Sequence, residues 1–138
     1  MDRIKYKTVI NIYKIFGAKK FVVGQTVKTL LGSKAHPELR TQLIDSILAF
    51  KSHGDMIKAA ECVLIDREDV SESLEYVKVP SLVIAGSADG IAPPKQIREL
   101  IEGLEYFQFM VMENSGHVTP VDQPEKFMEE INKFLAKL

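Results

Sequence analysis

The sequence predicts an α/β chain in which a helical region, residues 1–66, precedes a parallel β-α-β-α unit over residues 77–138. Two observations carry this expectation. Up to about position 65 the apolar residues recur at helical spacings between Gly and Pro breaks. A short apolar run then follows at 79–86, the pattern of a strand buried on both faces, and 106–112 reads as a second strand.

In the helical region, Ile4, Val9, Ile12, Tyr13 and Phe16 form a first stripe, and Gly17 stands where a helix end favours left-handed backbone. Phe21, Val22, Val27, Leu30 and Leu31 form a second, stopped by Gly32. A third helix follows Ser33 and His36-Pro37 and carries Leu39, Leu43, Ile44, Ile47, Leu48 and Phe50. A fourth runs from Asp55 to about Ile65, with Ile57, Ala60, Val63 and Leu64 expected inward. The charged and polar stretch from Asp66 to Ser73 is the expected linker.

From Val77 the pattern changes. Val79-Pro80-Ser81-Leu82-Val83-Ile84-Ala85-Gly86 is an apolar run bounded by Pro and Gly. Pro93-Pro94 opens a helix with Ile97, Leu100, Ile101 and Leu104, and first-turn proline is tolerated because those amides have no intrahelical partner. Tyr106 to Met112 is the second strand. Asp122-Gln123-Pro124-Glu125 has the spacing of a capping box, so Asp122 is read as the cap of a last helix through Phe127, Met128, Ile131, Phe134 and Leu135. Strand, helix, strand, helix implies parallel pairing with a right-handed crossover.

Composition narrows the function. With 46% apolar and 27% charged residues, the 138-residue chain has an ordinary globular make-up. Eighteen Lys+Arg against nineteen Asp+Glu give a net charge of −1, so neither nucleic acid nor an anionic membrane is an expected partner. A single cysteine, Cys62, precludes an internal disulfide framework and suits a reducing compartment. The first residues lack the apolar core of a signal peptide, and no run is long enough to span a bilayer. The expected location is the cytoplasm.

Two loops hold the chemistry, each just past the carboxyl end of a strand, where ligands and catalytic groups gather in open α/β sheets. They are Gly86-Ser87-Ala88-Asp89-Gly90-Ile91-Ala92-Pro93-Pro94 and Asn114-Ser115-Gly116-His117-Val118-Thr119-Pro120. Adjacent strands lie about 4.8 Å apart, so side chains leaving their ends can meet. A carboxylate on one loop and an imidazole on the next are what the second half of a hydrolytic triad requires. The acid fixes the imidazole tautomer, and the imidazole moves a proton for a nucleophile.

On these residues the chain resembles the α/β-hydrolase superfamily. The stretch Val79 to Asp89 is similar to its strand and acid loop, and Ser115-Gly116-His117 with Asp122-Gln123-Pro124-Glu125 is similar to its histidine loop and closing helix. The preceding helices occupy the place of its cap, or lid. The resemblance implies the carboxy-terminal part of that fold, with Asp89 and His117 as catalytic residues and a small-molecule substrate. No cofactor and no metal are implied. Gly90-Ile91-Ala92-Pro93-Pro94 leans toward small esterases and enol-lactonases. The family's nucleophile sits in Gly-x-Ser-x-Gly and precedes the acid and the histidine along the chain. No such motif is present here, nor an oxyanion loop.

The other reactive residues have simpler readings. Asp89 taken alone would be a turn residue, and its pairing with His117 argues for more. His36 is expected to be exposed, and His53 to sit at a helix end where the dipole favours it. Neither has companions at metal-ligand spacing. Cys62 reads as core, and Ser87 and Ser115 read as turn residues. Phe16, Phe21, Phe50 and Met56 could line a cleft, but helix packing is the plainer expectation.

A chain without the upstream strands leaves one edge of Ser81–Ala85 open, a template for pairing with another chain. The expected partner is the missing amino-terminal half of the fold, with self-association the other outcome. Three alternatives stay open: a non-catalytic assembly module, a dehalogenase or epoxide hydrolase with an aspartate nucleophile, and an acyltransferase on the same scaffold.

Overall fold

The computed structural model describes residues 3–138; Met1 and Asp2, included in the helical region above, lie outside it. Four helices come first: α1 (Arg3–Phe16), α2 (Lys20–Leu30), α3 (Pro37–Ala49) and α4 (His53–Glu61). A π-helical turn, Cys62–Asp66, and a 3₁₀ helix, Ser71–Tyr76, lead to β1 (Ser81–Gly86). Then come α5 (Pro94–Ile101), β2 (Phe107–Met112), the single turn α6 (Thr119–Asp122) and α7 (Pro124–Leu135). The chain forms two compact units. One holds residues 3–27 and 41–69 of the described chain, and the other holds residues 28–40 and 70–138.

In the first unit, α1 contacts α4 and the π-helical turn. Tyr6 and Ile10 are buried, as are Val23 and Val27 of α2, each pair four residues apart on its helix. The Tyr13 hydroxyl donates to Thr26 Oγ1 at 2.9 Å, tying α1 to α2. Gly17 has φ 70°, and its amide closes α1 onto the Tyr13 carbonyl at 2.9 Å.

Several expected core residues lie outside. Ile4, Val9, Ile12 and Phe16 are exposed because the buried face of α1 is the Tyr6–Ile10 side. Phe21 and Phe50 are exposed too, so helix packing does not account for them. Cys62 and Val63 are exposed, at the start of the π-helical turn that follows α4. His53 begins α4 instead of ending a helix.

The second unit is built on β1 and β2. They pair in parallel with no offset in length, from Ser81 opposite Phe107 to Gly86 opposite Met112. Helix α5 packs against both strands, and the Arg98 guanidinium lies 4.8 Å from the centre of the Phe109 ring. Pro94 occupies the first turn of α5 and Pro124 that of α7, where a missing amide costs nothing. Burial increases along β1 toward Ala85 and Gly86, whereas Ser81–Ile84 are only partly covered. Among the described residues the sheet has two strands, so no strand pairs with the far edge of β1. On the outside of α7, Lys133 holds Glu129 at 2.6 Å and Glu130 at 2.9 Å. Its hydrogen bond to Glu129 raises the Lys133 pKa and lowers that of Glu129. Such exposed pairs add little stability.

Candidate functional site

Because β1 and β2 end level, the loops that follow leave the sheet side by side. The first returns at once: the Asp89 amide donates to the Gly86 carbonyl at 3.1 Å, a tight turn. Asp89 Oδ1 then accepts from the amides of Ile91 at 2.8 Å and Ala92 at 3.0 Å. This is ordinary Asx-turn chemistry, and it locks the carboxylate with Oδ2 facing the other loop. Asp89 is buried at 8% exposure.

The second loop turns through Asn114, whose φ of 61° lies in the left-handed region that Asn tolerates better than most residues. The Asn114 amide donates to Ser87 Oγ at 2.8 Å, and the Ser115 carbonyl accepts the Ala88 amide at 2.8 Å. Ser87 and Ser115 are thus turn residues that stitch the two loops together. His117 Nδ1 lies 2.9 Å from Asp89 Oδ2. With Asp89 ionised, the carboxylate can only accept, and Nδ1 is then the donor of this bond. The imidazole is 41% exposed while the carboxylate is 6% exposed. The contact thus joins a buried carboxylate to a partly exposed imidazole.

The support behind the histidine was not visible in the sequence. The His117 amide donates to the Leu30 carbonyl at 2.7 Å, fastening the loop to the end of α2. Three glycines let the backbones meet. A Cβ at Gly116 would come 2.5 Å from the Leu30 carbonyl oxygen and 2.7 Å from the Gly32 nitrogen. A Cβ at Gly86 would strike the carbonyls of Ser115 and Gly116, and one at Gly32 would strike the Asn114 carbonyl.

Asp122 is not the cap it was expected to be. It ends α6, and Gln123 is the residue before α7, with no side-chain capping bond. The Asp122 carboxylate is buried at 4% exposure and turned inward. Its Oδ2 accepts from the amides of Gly116 at 2.5 Å and Gly32 at 2.8 Å and from Ser115 Oγ at 3.2 Å.

Among the described residues, no group of three or more His, Cys, Asp or Glu side chains is placed to hold a metal ion. No helix of the described residues is long and apolar enough to cross a membrane. His36 is exposed.

No protein-family model matches the chain. Individual proteins do. It is 30% identical over 107 residues to the AB hydrolase superfamily protein YisY of Bacillus subtilis, covering 78% of this chain and 39% of that protein. It is 31% identical over 80 residues to 3-oxoadipate enol-lactonase 1 of Acinetobacter baylyi, covering 58% of this chain and 30% of that one. Among solved structures, a thermophilic esterase from Thermogutta terrifontis superposes with a TM-score of 0.78 at 25% identity, covering 98% of this chain and 50% of the esterase. The fold is therefore that of an α/β-hydrolase, and the chain has the architecture of its carboxy-terminal portion. With its sequence relatives, the chain belongs to the α/β-hydrolase superfamily. It spans half or less of the length of these relatives.

Proposed function

We propose that this chain supplies the acid and base of a serine-type hydrolase acting on small esters or lactones. Asp89 orients His117, and His117 takes the proton from a serine hydroxyl as it attacks the acyl carbonyl. The observation that carries this reading is the 2.9 Å contact between Asp89 Oδ2 and His117 Nδ1. The substrate class follows from the enol-lactonase and esterase relatives. The sequence contains no Gly-x-Ser-x-Gly, so the nucleophile lies on a polypeptide segment other than these 138 residues.

The test is reconstitution with an amino-terminal α/β-hydrolase half that carries Gly-x-Ser-x-Gly. Hydrolysis of a nitrophenyl ester is expected on mixing and is abolished by His117→Ala. Equal rates with and without the imidazole would rule the mechanism out.

The same proposal assigns a partner to the open edge of β1. Its amides and carbonyls on that side take a strand of the complementary half, or of a second copy when the chain is alone. Size-exclusion chromatography of the isolated chain is expected to show oligomers, which shift to a heterodimer when the complementary half is added. A compact, non-aggregating monomer at micromolar concentration would end this part of the reading.

A further inference from the structure

We infer that Asp122 is a positioning residue for His117: it is the anchor that sets the height and direction of the histidine loop. This rests on the reading of His117 as the catalytic base and deepens it. Asp122 lies outside the acid–base pair, and the hydrogen bonds that support the histidine from behind converge on it. Its Oδ2 takes the amide of Gly116, the residue immediately before the histidine, and the hydroxyl of Ser115, two residues before it. The third donor, the Gly32 amide, comes from the chain just beyond α2. Gly32 lies two residues from Leu30, whose carbonyl holds the His117 amide at 2.7 Å. One carboxylate oxygen and one carbonyl thus fix both peptide groups flanking Gly116. The imidazole direction follows from that backbone.

The manner of burial supports a positioning role over a merely convenient contact. Asp122 Oδ1 is buried with no hydrogen-bond partner among the described residues. Oδ2, in contrast, gathers three donors at one point, which a smaller or apolar side chain cannot do. The close approach of backbones at Gly32, Gly86 and Gly116, where an added Cβ would meet backbone atoms, adds to this.

The readout is the His117 ring itself, followed by proton–nitrogen NMR on the full chain without any substrate. In the unsubstituted chain the Nδ1 proton held by Asp89 is expected far downfield and slow to exchange with water. Its absence there would count against the catalytic reading, not against Asp122 as such. Asp122→Asn can place its amide oxygen where Oδ2 lies and is expected to keep the signal. Asp122→Ala is expected to accelerate exchange of that proton at least about tenfold, or to lose the signal, while circular dichroism stays that of a folded chain. A folded Asp122→Ala chain with the signal unmoved overturns the inference. If that variant does not fold, Ser115→Ala decides, because it removes one of the three donors and leaves the carboxylate. Faster exchange of the His117 proton then upholds the anchor, and unchanged exchange overturns it.

Discussion

Asp89→Asn is expected to lower turnover of the reconstituted hydrolase about 10⁴-fold while leaving the chain folded. The direction comes from the turn that holds the side chain. Oδ1 accepts two amides, from Ile91 and Ala92, so an asparagine in this place keeps its carbonyl oxygen toward them. Its NH₂ group then faces His117 Nδ1, where Oδ2 stood at 2.9 Å. An amide donor there requires Nδ1 to accept, which puts the ring proton on Nε2. The nitrogen meant to take a proton from the nucleophile already has one. Flipping the amide would restore the tautomer but set NH₂ against two backbone donors, and that orientation loses. Stopped-flow ester hydrolysis measures the loss, and an unaltered circular dichroism spectrum separates it from unfolding. A variant with turnover near that of the unsubstituted enzyme would show that Asp89 does not set the tautomer.

The largest effect on stability is expected from Gly86→Ala. A methyl group at this position would enter the space of the Ser115 and Gly116 carbonyls and come 2.7 Å from the Ser115 carbonyl carbon. All three atoms are backbone and belong to a loop already fixed by Leu30 and Asp122, so no flexible side chain can give way. Overpacking of this kind costs about 3 kcal/mol or more, a large share of a small unit's stability. The control is Gly24→Ala, within α2, where a Cβ meets nothing within 4 Å. Replacing a mid-helix glycine should stabilise by about 0.5–1 kcal/mol. Urea midpoints measured on the two variants should therefore move in opposite directions. A Gly86→Ala midpoint equal to that of the unsubstituted chain would contradict the close approach seen here.

Local signals carried the strands, the helix between them and the two loops. The Pro80 and Gly86 boundaries, the Pro93-Pro94 start and the apolar runs all act within a few residues, so they can be read in order along the chain. The pairing of Asp89 with His117 was legible for the same reason, since two adjacent strands bring two adjacent loops together. Asp122 was not. Its neighbours Gln123-Pro124-Glu125 satisfy a local capping pattern, whereas its donors are Gly116 and Ser115 on the preceding loop and Gly32, 90 residues away. Long-range acceptance of a backbone amide leaves no trace in spacing. The helical region failed in another way. Periodicity on α1 allowed either side to be the buried one, and Tyr6 with Ile10 took that place from Ile4, Val9 and Phe16. Cys62 and Val63, expected on an inward helical face, are exposed where the chain passes from α4 into the π turn at Cys62–Asp66.

Strands β1 and β2 each contain six residues and finish opposite one another at Gly86 and Met112. Their common finishing line works as a ruler for the acid and the imidazole. One residue added to either strand would push its loop outward by about 3.3 Å and invert which side chains face α5. Insertions are therefore expected to be tolerated at the α5–β2 connection around Gly103 and in the segment before Pro80, but not between Ser81 and Asp89 or between Phe107 and His117.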